Sequence, residues 1–495
     1  MDDQHRLEAL FDAGHPAIAI QTLEERDALE LVAAIARERE HQFFVWSLLE
    51  GVRSPLKKDQ KHVPETDNAA AGLFWLARQD LPHICAVLDV RPHLDDPQVM
   101  RALRRLIGRA GEVGAHLVLI DHAGPMPGVI EAHSTAFELG YPDDDTIGVL
   151  VKAELRQVHQ RSSINISITE SHFDALVRNL RGLMPRQVKQ IVRDITADDR
   201  RLDKDDIAAV ASRKRDMVGS SGTLEFVESP ATLDHVGGLE HLKKWLSDRA
   251  RSFSDGAAEF GLTPPRGVLL LGVQGAGKSL CAKAIATAWQ RPLLRMDPGA
   301  LYDRYIGESE RRLRDALAQA EAMAPIVLWI DEIEKGFASA ASHSNDGGLS
   351  QRMFGTLLTW MQDHESPVFL VATANNIDAL PPELLRKGRF DEIFFVDLPG
   401  EDARQRIFEI HLAKRKREPG AFDVAALAAA ADGYSGAEIE QAVLGALHSA
   451  YAGGGEPTTE TLLAQLEASP PLSVTMAEKI AQLRAWAEDR CVPAG

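Results

Sequence analysis

The stretch Gly272-Val273-Gln274-Gly275-Ala276-Gly277-Lys278-Ser279 decides the fold. It follows the short apolar run Gly267–Leu271 and opens a helical pattern through Leu280–Trp289. A run of this kind reads as a buried parallel strand. Strand, glycine-rich turn, Lys-Ser and helix in that order form a P-loop, the Walker A pattern. Its glycines let backbone N–H groups close around phosphate oxygens, and the helix N-terminus adds its dipole. Lys278 is expected to reach the β- and γ-phosphates of ATP, and Ser279 to ligate Mg²⁺. The whole segment from Gly272 through Val273, Gln274, Gly275, Ala276, Gly277, Lys278 and Ser279 to Leu280 is therefore the expected nucleotide cradle.

Downstream, strand-like and helix-like stretches alternate. Leu293–Met296 reads as a strand, Gly307–Ala322 as a helix, Ile326–Ile330 as a strand and Leu349–Asp363 as a helix. Val368–Thr373 and Ile393–Asp397 read as further strands. This alternation predicts an α/β fold with a doubly wound parallel sheet. After Pro399 the chain reads as wholly helical to its end, with Gly433-Tyr434-Ser435-Gly436 separating two helices, so a helical lid is expected.

Ile326–Ile330 runs straight into Asp331-Glu332, the Walker B position. Asp331 is expected to hold Mg²⁺, directly or through water, and Glu332 to act as general base on the attacking water. Asn375, at the end of the next strand, would orient that water. Arg386 and Arg389, three apart, offer paired guanidinium forks to a polyanion.

In order and spacing these motifs resemble those of AAA ATPases, over roughly Asp234 to Ala450. Asp234-His235-Val236-Gly237 resembles that family's adenine-contacting entry segment. Tyr305-Ile306-Gly307 resembles its first pore loop. His411 and the Gly436-Ala437 step match the base-proximal positions of its lid. The resemblance implies that Asn375 is the polar sensor and that Arg386 and Arg389 are arginine fingers serving a neighbouring subunit. It also implies a homo-oligomeric, hexameric ring, with Lys278, Asp331, Glu332, Asn375 and the two arginines as the catalytic set. Asn375-Asn376-Ile377-Asp378 departs from the commoner Asn-Arg-Pro-Asp but keeps the sensor amide. The full chain resembles the AAA proteins first named as a hypothetical plastid reading frame and also found in cyanobacteria and other bacteria. Leu349–Pro399 and Pro471–Arg490 carry that likeness.

The N-terminal block has a similar element order but no P-loop. Ala17–Thr22, Phe43–Trp46, Ile84–Asp89, His116–Asp121 and Thr146–Val151 read as strands, Glu24–Arg39 as a helix, and Phe173–Val218 as about three helices. Thr22-Leu23-Glu24-Glu25-Arg26 stands where glycines and a lysine would be, and two carboxylates there would repel phosphate. Asp89 and Asp121 read as strand-end acids of a degenerate AAA-like domain whose work is packing, docking or recruiting a partner. The expected division is a degenerate α/β domain over 1–165, a lid-like helical segment over 166–216, a linker over 217–233, the AAA α/β subdomain over 234–400, and a helical lid with C-terminal helices over 401–495.

Composition bounds the rest. The chain has 495 residues, 45% of them hydrophobic, with a formal charge of −18. Split at Ser229, the charge divides evenly at about −9 on each side. Such a balance disfavours generic binding to nucleic acid or anionic lipid, both polyanions. No apolar run approaches the ~20 residues of a membrane span, and the acidic N-terminus lacks a signal core. Three scattered cysteines suit a reducing cytoplasm and no zinc site. The basic run Lys414–Arg417 and the series Arg101, Arg104, Arg105 and Arg109 read as solvated helix surface, Cys281 as a buried helix residue, and Ser339–Gly348 as a surface or central loop.

The expected function is a Mg²⁺-dependent ATPase whose ring remodels or disassembles an unknown protein partner. An ATP-gated switch or scaffold that recruits a partner through the first domain is the alternative, and a nucleic-acid motor is the least favoured.

Overall fold

The computed structural model describes residues 3–56, 62–122, 126–197, 200–204, 206–219, 222–228, 231–253, 255–301, 308–336, 349–386 and 388–495. It contains two compact units, Met1–Val210 and Ala211–Gly495. Among the described residues, no helix is long and apolar enough to cross a membrane.

In the first unit, β1 (Ala17–Gln21), β2 (Gln42–Ser47), β3 (Gly51–Arg53), β4 (His83–Leu88), β5 (His116–Asp121) and β6 (Thr135–Phe137) form one sheet in the order β3-β2-β4-β5-β1-β6. All pairs are parallel except the β2–β3 hairpin. Successive side chains of a strand point to opposite faces, and both faces are covered. Ile18, Ile20, Phe43 and Val45 join one core, while Ala17, Phe44, Trp46 and Leu119 join the other. A small parallel pair, β7 (Asn165–Ile166) with β8 (Arg201–Leu202), lies among the helices that follow.

Thr146–Val151, expected as a strand, lies inside the helix Asp144–Arg161. Asp143 caps that helix by accepting the Thr146 N–H, and burial of Ile147, Val151 and Leu155 follows a helical spacing. The β-branched residues suggested a strand, but Val149 is 67% exposed, which a core strand would not allow. The fifth parallel strand is β6 instead. The three expected helices downstream are Glu170–Leu180, Pro185–Ala197 and Asp206–Gly219.

In the second unit, β9 (Leu224–Phe226), β10 (Gly267–Gly272), β11 (Leu293–Met296), β12 (Ile326–Ile330), β13 (Val368–Ala374), β14 (Glu392–Val396) and β15 (Val492–Pro493) form a sheet ordered β15-β14-β10-β13-β12-β11-β9. The central five strands are parallel. Numbered from the first parallel strand of each unit, both sheets share one order, 5-1-4-3-2, so β1 corresponds to β10, β4 to β12 and β5 to β13.

Two edges correct the sequence reading. Residues 224–226, inside the expected linker, pair antiparallel with β11. The chain after Pro399 is not helical throughout: β15 pairs with β14, the Ala494 N–H donates to Phe395 O (3.0 Å), and the Leu242 N–H donates to Ala494 O (3.0 Å). Both strands are two or three residues long, too short for a pattern to show.

Helices 401–414, 424–430, 436–452 and 459–467 pack as a separate layer around Phe408, Leu412, Tyr434, Ile439, Val443 and Leu466. The Tyr434 hydroxyl donates to the Leu466 carbonyl, which fixes the turn entering the helix 436–452. Ser435 then caps that helix in a reciprocal box with Glu438.

Candidate nucleotide site

Strand β10 is buried along its whole length and delivers the chain into the loop 273–277. Gly275 and Gly277 adopt φ of +75° and +96°, where L side chains are strained. A Cβ at Gly275 would also sit 3.0 Å from Ser435 Oγ. The helix Lys278–Ala288 starts directly behind, with its first N–H groups toward the loop. Lys278 is buried and folds back onto the loop, its Nζ donating to Val273 O (2.7 Å) and Gly272 O (3.0 Å). Burial pulls its pKa down to about 8, against the pull of Glu334 and Asp331.

The ends of β12 and β13 carry a continuous polar network. Asp331 Oδ1 accepts from Ser279 Oγ (3.1 Å) and from Thr373 Oγ1 (2.6 Å). Thr373 Oγ1 in turn accepts the Glu332 N–H (2.9 Å). Glu332 has φ +48°, a left-handed conformation for a non-glycine residue, and its Oε1 accepts from Asn375 Nδ2 (2.9 Å). Its Oε2 is paired with Lys335 at the surface. The Asn375 N–H donates to Glu334 Oε1 (2.8 Å). The site thus brings together Ser279, Asp331, Glu332 and Asn375 of the expected set.

Sequence reasoning missed Thr373 and Glu334. Thr373 is 1% exposed and ties Asp331 to the backbone of Glu332; its signal was a lone hydroxyl in the apolar run of β13. Glu334 is 5% exposed, its Oε2 has no hydrogen-bond partner among the described residues, and burial raises its pKa.

Asp331 and Ser279 present hard oxygen donors 3.1 Å apart at the mouth of the loop, a donor set that suits Mg²⁺. The open loop glycines and the buried Lys278 suit a polyphosphate. The residues therefore fit Mg²⁺ and a nucleotide.

Expected base-contacting residues fall in two cavities beside the loop. His235, Leu280 and His411 line one of about 820 Å³, together with Asp234, Ile410 and Lys414. Gly237, Ala276 and Gly436 line another of about 1100 Å³, which the C-terminal residues 493–495 also border. Val236 is buried in the main core, and Gly237 is pressed against Ile407 of the helix 401–414, a contact the sequence did not suggest. The Ala437 N–H donates to Gly275 O (3.1 Å), which ties lid to loop. Burial lowers the pKa of His411 despite the neighbouring Glu440.

Arg386 is exposed and, among the described residues, its guanidinium makes no hydrogen bond or ion pair, while Arg389 Nη1 is buried with no partner among them. Neither is bonded to the network above. Tyr305, Ile306 and Gly307, and the loop Ser339–Gly348, lie outside the described residues. Cys281 is fully buried and its thiol is pushed up to about 12, an inert core position. Arg415 and Arg417 of the basic run pair with Glu440 and Glu456.

The first unit fills the corresponding place with its own side chains. Glu24, just beyond β1 and 8% exposed, accepts from Arg186 Nε at 3.1 and 3.2 Å. Lys189 pairs with Asp27 (3.3 Å), and Arg193 holds Glu154 through both carboxylate oxygens. Carboxylates here engage the cations of helix 185–197, so the helix is pinned without a ligand. Glu24→Ala is expected to cost about 1–3 kcal/mol of local stability, read as lost hydrogen-exchange protection across 185–197, while ATP hydrolysis is unchanged. Asp89, Asp121 and His122 bring ligand atoms within 4.8 Å of one another at the ends of β4 and β5. His122 Nδ1 already bonds Asp89 Oδ1 (2.7 Å), and Asp121 Oδ2 accepts the Arg91 N–H (2.7 Å).

Comparisons with known proteins give the family. Residues 268–398 match the model of the ATPase family associated with various cellular activities (AAA). Residues 3–139 match the N-terminal domain, and 145–221 the second domain, of SpoVK-like AAA ATPases. The AAA domain-containing protein ycf46 of Guillardia theta is 36% identical over 97% of this chain and 93% of its own length. This chain belongs to the AAA ATPase family. The ycf46 protein of Pyropia yezoensis is 33% identical over 98% of this AAA chain and 97% of its own. Protein SAV of Sulfolobus acidocaldarius is 34% identical over 46% of this AAA chain and 30% of its own length, a likeness confined to part of each.

Proposed function

We propose that this AAA protein is a Mg²⁺-dependent ATPase that assembles into a ring, hexameric in the family's manner, and remodels or disassembles a protein partner. One observation carries the reading. The Ser279–Asp331–Thr373–Glu332–Asn375 network is continuous within one chain, whereas Arg386 and Arg389 stand outside it with guanidinium nitrogens unengaged. Charge building on a transferred phosphoryl group needs cations beside it, and a neighbouring subunit is the natural source of those two.

Ser279 and Asp331 would hold Mg²⁺, which when bound would supply positive charge against the phosphates. Lys278 would leave the Gly272 and Val273 carbonyls for the phosphates, where an anion restores the charge that burial disfavours. Glu332 takes a proton from water, while Asn375 holds the carboxylate in place and the Thr373 hydroxyl fixes Asp331. His235, Gly237, His411, Gly436 and Ala437 would surround the base between sheet and lid. Residues 1–165 and 166–216 serve as a nucleotide-free recruiting domain with its helical companion, and 217–233, 234–400 and 401–495 as linker, ATPase core and lid. The three free cysteines suit a reducing cytoplasm.

The test is hydrolysis against protein concentration with Mg²⁺ present. Specific activity is expected to rise with assembly in sedimentation and to vanish on chelation; equal activity in a purely monomeric sample would overturn the ring. Tyr305→Ala then separates a threading motor, which keeps ATPase but loses remodelling, from a switch, which tolerates the change.

A further inference from the structure

One surface of the first unit runs against the acidic character of the chain. Helices Ala69–Leu76 and Pro97–Val113 bury Leu73, Leu76, Leu103, Leu106 and Ile107 in a common core. On their outward side stand Phe74, Arg78, Arg101, Arg104 and Arg105, all exposed. The Phe74 ring is 44% exposed and has two guanidiniums near it, with Arg105 5.3 Å and Arg78 6.0 Å from its centroid. Arg109, one turn further on, is engaged by Asp80 and Glu112 and closes the patch. Among the described residues, Arg78, Arg101, Arg104 and Arg105 have no carboxylate partner.

That absence is informative in this chain. Acids outnumber bases 73 to 55, and several arginines elsewhere are held by carboxylates, as Arg181 by Asp144, Arg193 by Glu154 and Arg484 by Asp397. Four unpaired arginines on one face keep their forks open to an outside anion. The net charge of −18 does not cancel them, because at physiological salt charges beyond about 8 Å are largely screened. The exposed ring narrows the anion further. An acidic peptide would satisfy the guanidiniums and leave Phe74 unused. An anionic membrane would have to strip both guanidiniums from the ring before burying it. An unpaired nucleobase can stack on an aromatic–guanidinium platform while its phosphates meet the neighbouring arginines.

We infer that this face of the first unit binds single-stranded nucleic acid, with Phe74, Arg78 and Arg105 as a stacking platform and Arg101 and Arg104 as phosphate contacts. The inference stands apart from the ATPase reading. It revises what an even charge split suggests, because an average over half a chain hides a patch built from two helices.

The test is fluorescence anisotropy of the full chain with a labelled single-stranded DNA of about 16 nucleotides and its RNA counterpart. Two phosphate contacts predict an affinity loss of about 7-fold between about 50 and 200 mM salt. Combined Arg101→Ala, Arg104→Ala and Arg105→Ala is expected to weaken binding at least ~10-fold and flatten that salt dependence. Phe74→Ala is expected to weaken it by at least ~5-fold with the salt slope unchanged. Both variants should hydrolyse ATP at the parental rate, which confirms folding. The inference fails if neither oligonucleotide binds, or if the arginine variant binds normally. It also fails if Phe74→Ala has no effect, or if polyglutamate or phosphatidylserine vesicles bind the face as tightly as the oligonucleotides.

Discussion

Glu332→Gln is expected to lower the rate of ATP hydrolysis by about 10²- to 10⁴-fold while ATP still binds. The substitution keeps the length of the side chain and an oxygen that can accept from Asn375 Nδ2, now 2.9 Å from Glu332 Oε1. The strained backbone at φ +48° and the Thr373 contact to the residue's N–H are main-chain features, so they survive. What disappears is the basic lone pair that takes the water proton. The measurement is single-turnover hydrolysis beside equilibrium binding of ATP. Asp331→Asn provides the contrast: it weakens the acceptor shared by Ser279 and Thr373, so Mg²⁺-dependent binding itself should fall. Lys335 is 71% exposed where it meets Glu332, and Lys335→Ala should change the rate little, because a surface partner is readily replaced by water. Retention of near-parental hydrolysis by Glu332→Gln would move the base elsewhere, with Glu334 next to be tried.

The residues of this site differ in how plainly the sequence displayed them. Gly272–Ser279 could be read because the loop must leave N–H groups open, and only small residues in a fixed pattern allow that. Asp331 and Glu332 followed from an apolar strand ending abruptly in charge. Thr373 and Glu334 were hidden because each acts through another residue: one hydroxyl orients Asp331, and one buried carboxylate holds the Asn375 N–H. Their importance comes from which strands lie side by side, β12 beside β13, a fact of register rather than composition. The same reason explains β15 and β9, whose short segments gain strand geometry only by pairing with an edge already formed. The helix Asp144–Arg161 shows the opposite failure. Its local β-branched run argued for a strand, and capping by Asp143 with one buried face overrode that propensity.

The first unit shows how one topology can outlast its chemistry. Both sheets follow the same strand order, yet beyond β1 the chain presents Glu24 and Asp27 to Arg186 and Lys189. An internal anion there holds sheet and helix together as a bound phosphate group would. In the second unit, among the described residues, Lys278 forms no ion pair and donates to backbone carbonyls instead. Nucleotide is therefore expected to act on the second unit, where Lys278 must leave those carbonyls to meet a phosphate.

Combined Arg386→Ala and Arg389→Ala is expected to reduce hydrolysis by about 10³- to 10⁵-fold, the range over which an arginine finger acts. Binding of ATP to the isolated chain should be preserved, because neither side chain bonds the network at Ser279, Asp331 and Glu332. Mixing decides whether the arginines act within a chain or across an interface. The arginine variant retains its own Glu332, and the Glu332→Gln variant retains its own arginines. In a head-to-tail ring each interface is heterologous, so in an equal mixture about a quarter of the interfaces join an intact base to intact arginines. Two nearly inactive proteins should then recover a substantial share of parental hydrolysis on mixing, in proportion to assembly. Arginines acting within their own chain would leave every active site in the mixture defective, and no recovery would follow at any ratio. The exposed guanidinium of Arg386, with no partner among the described residues, makes the first outcome the expected one, since an open fork at the surface can reach an anion held by the next chain.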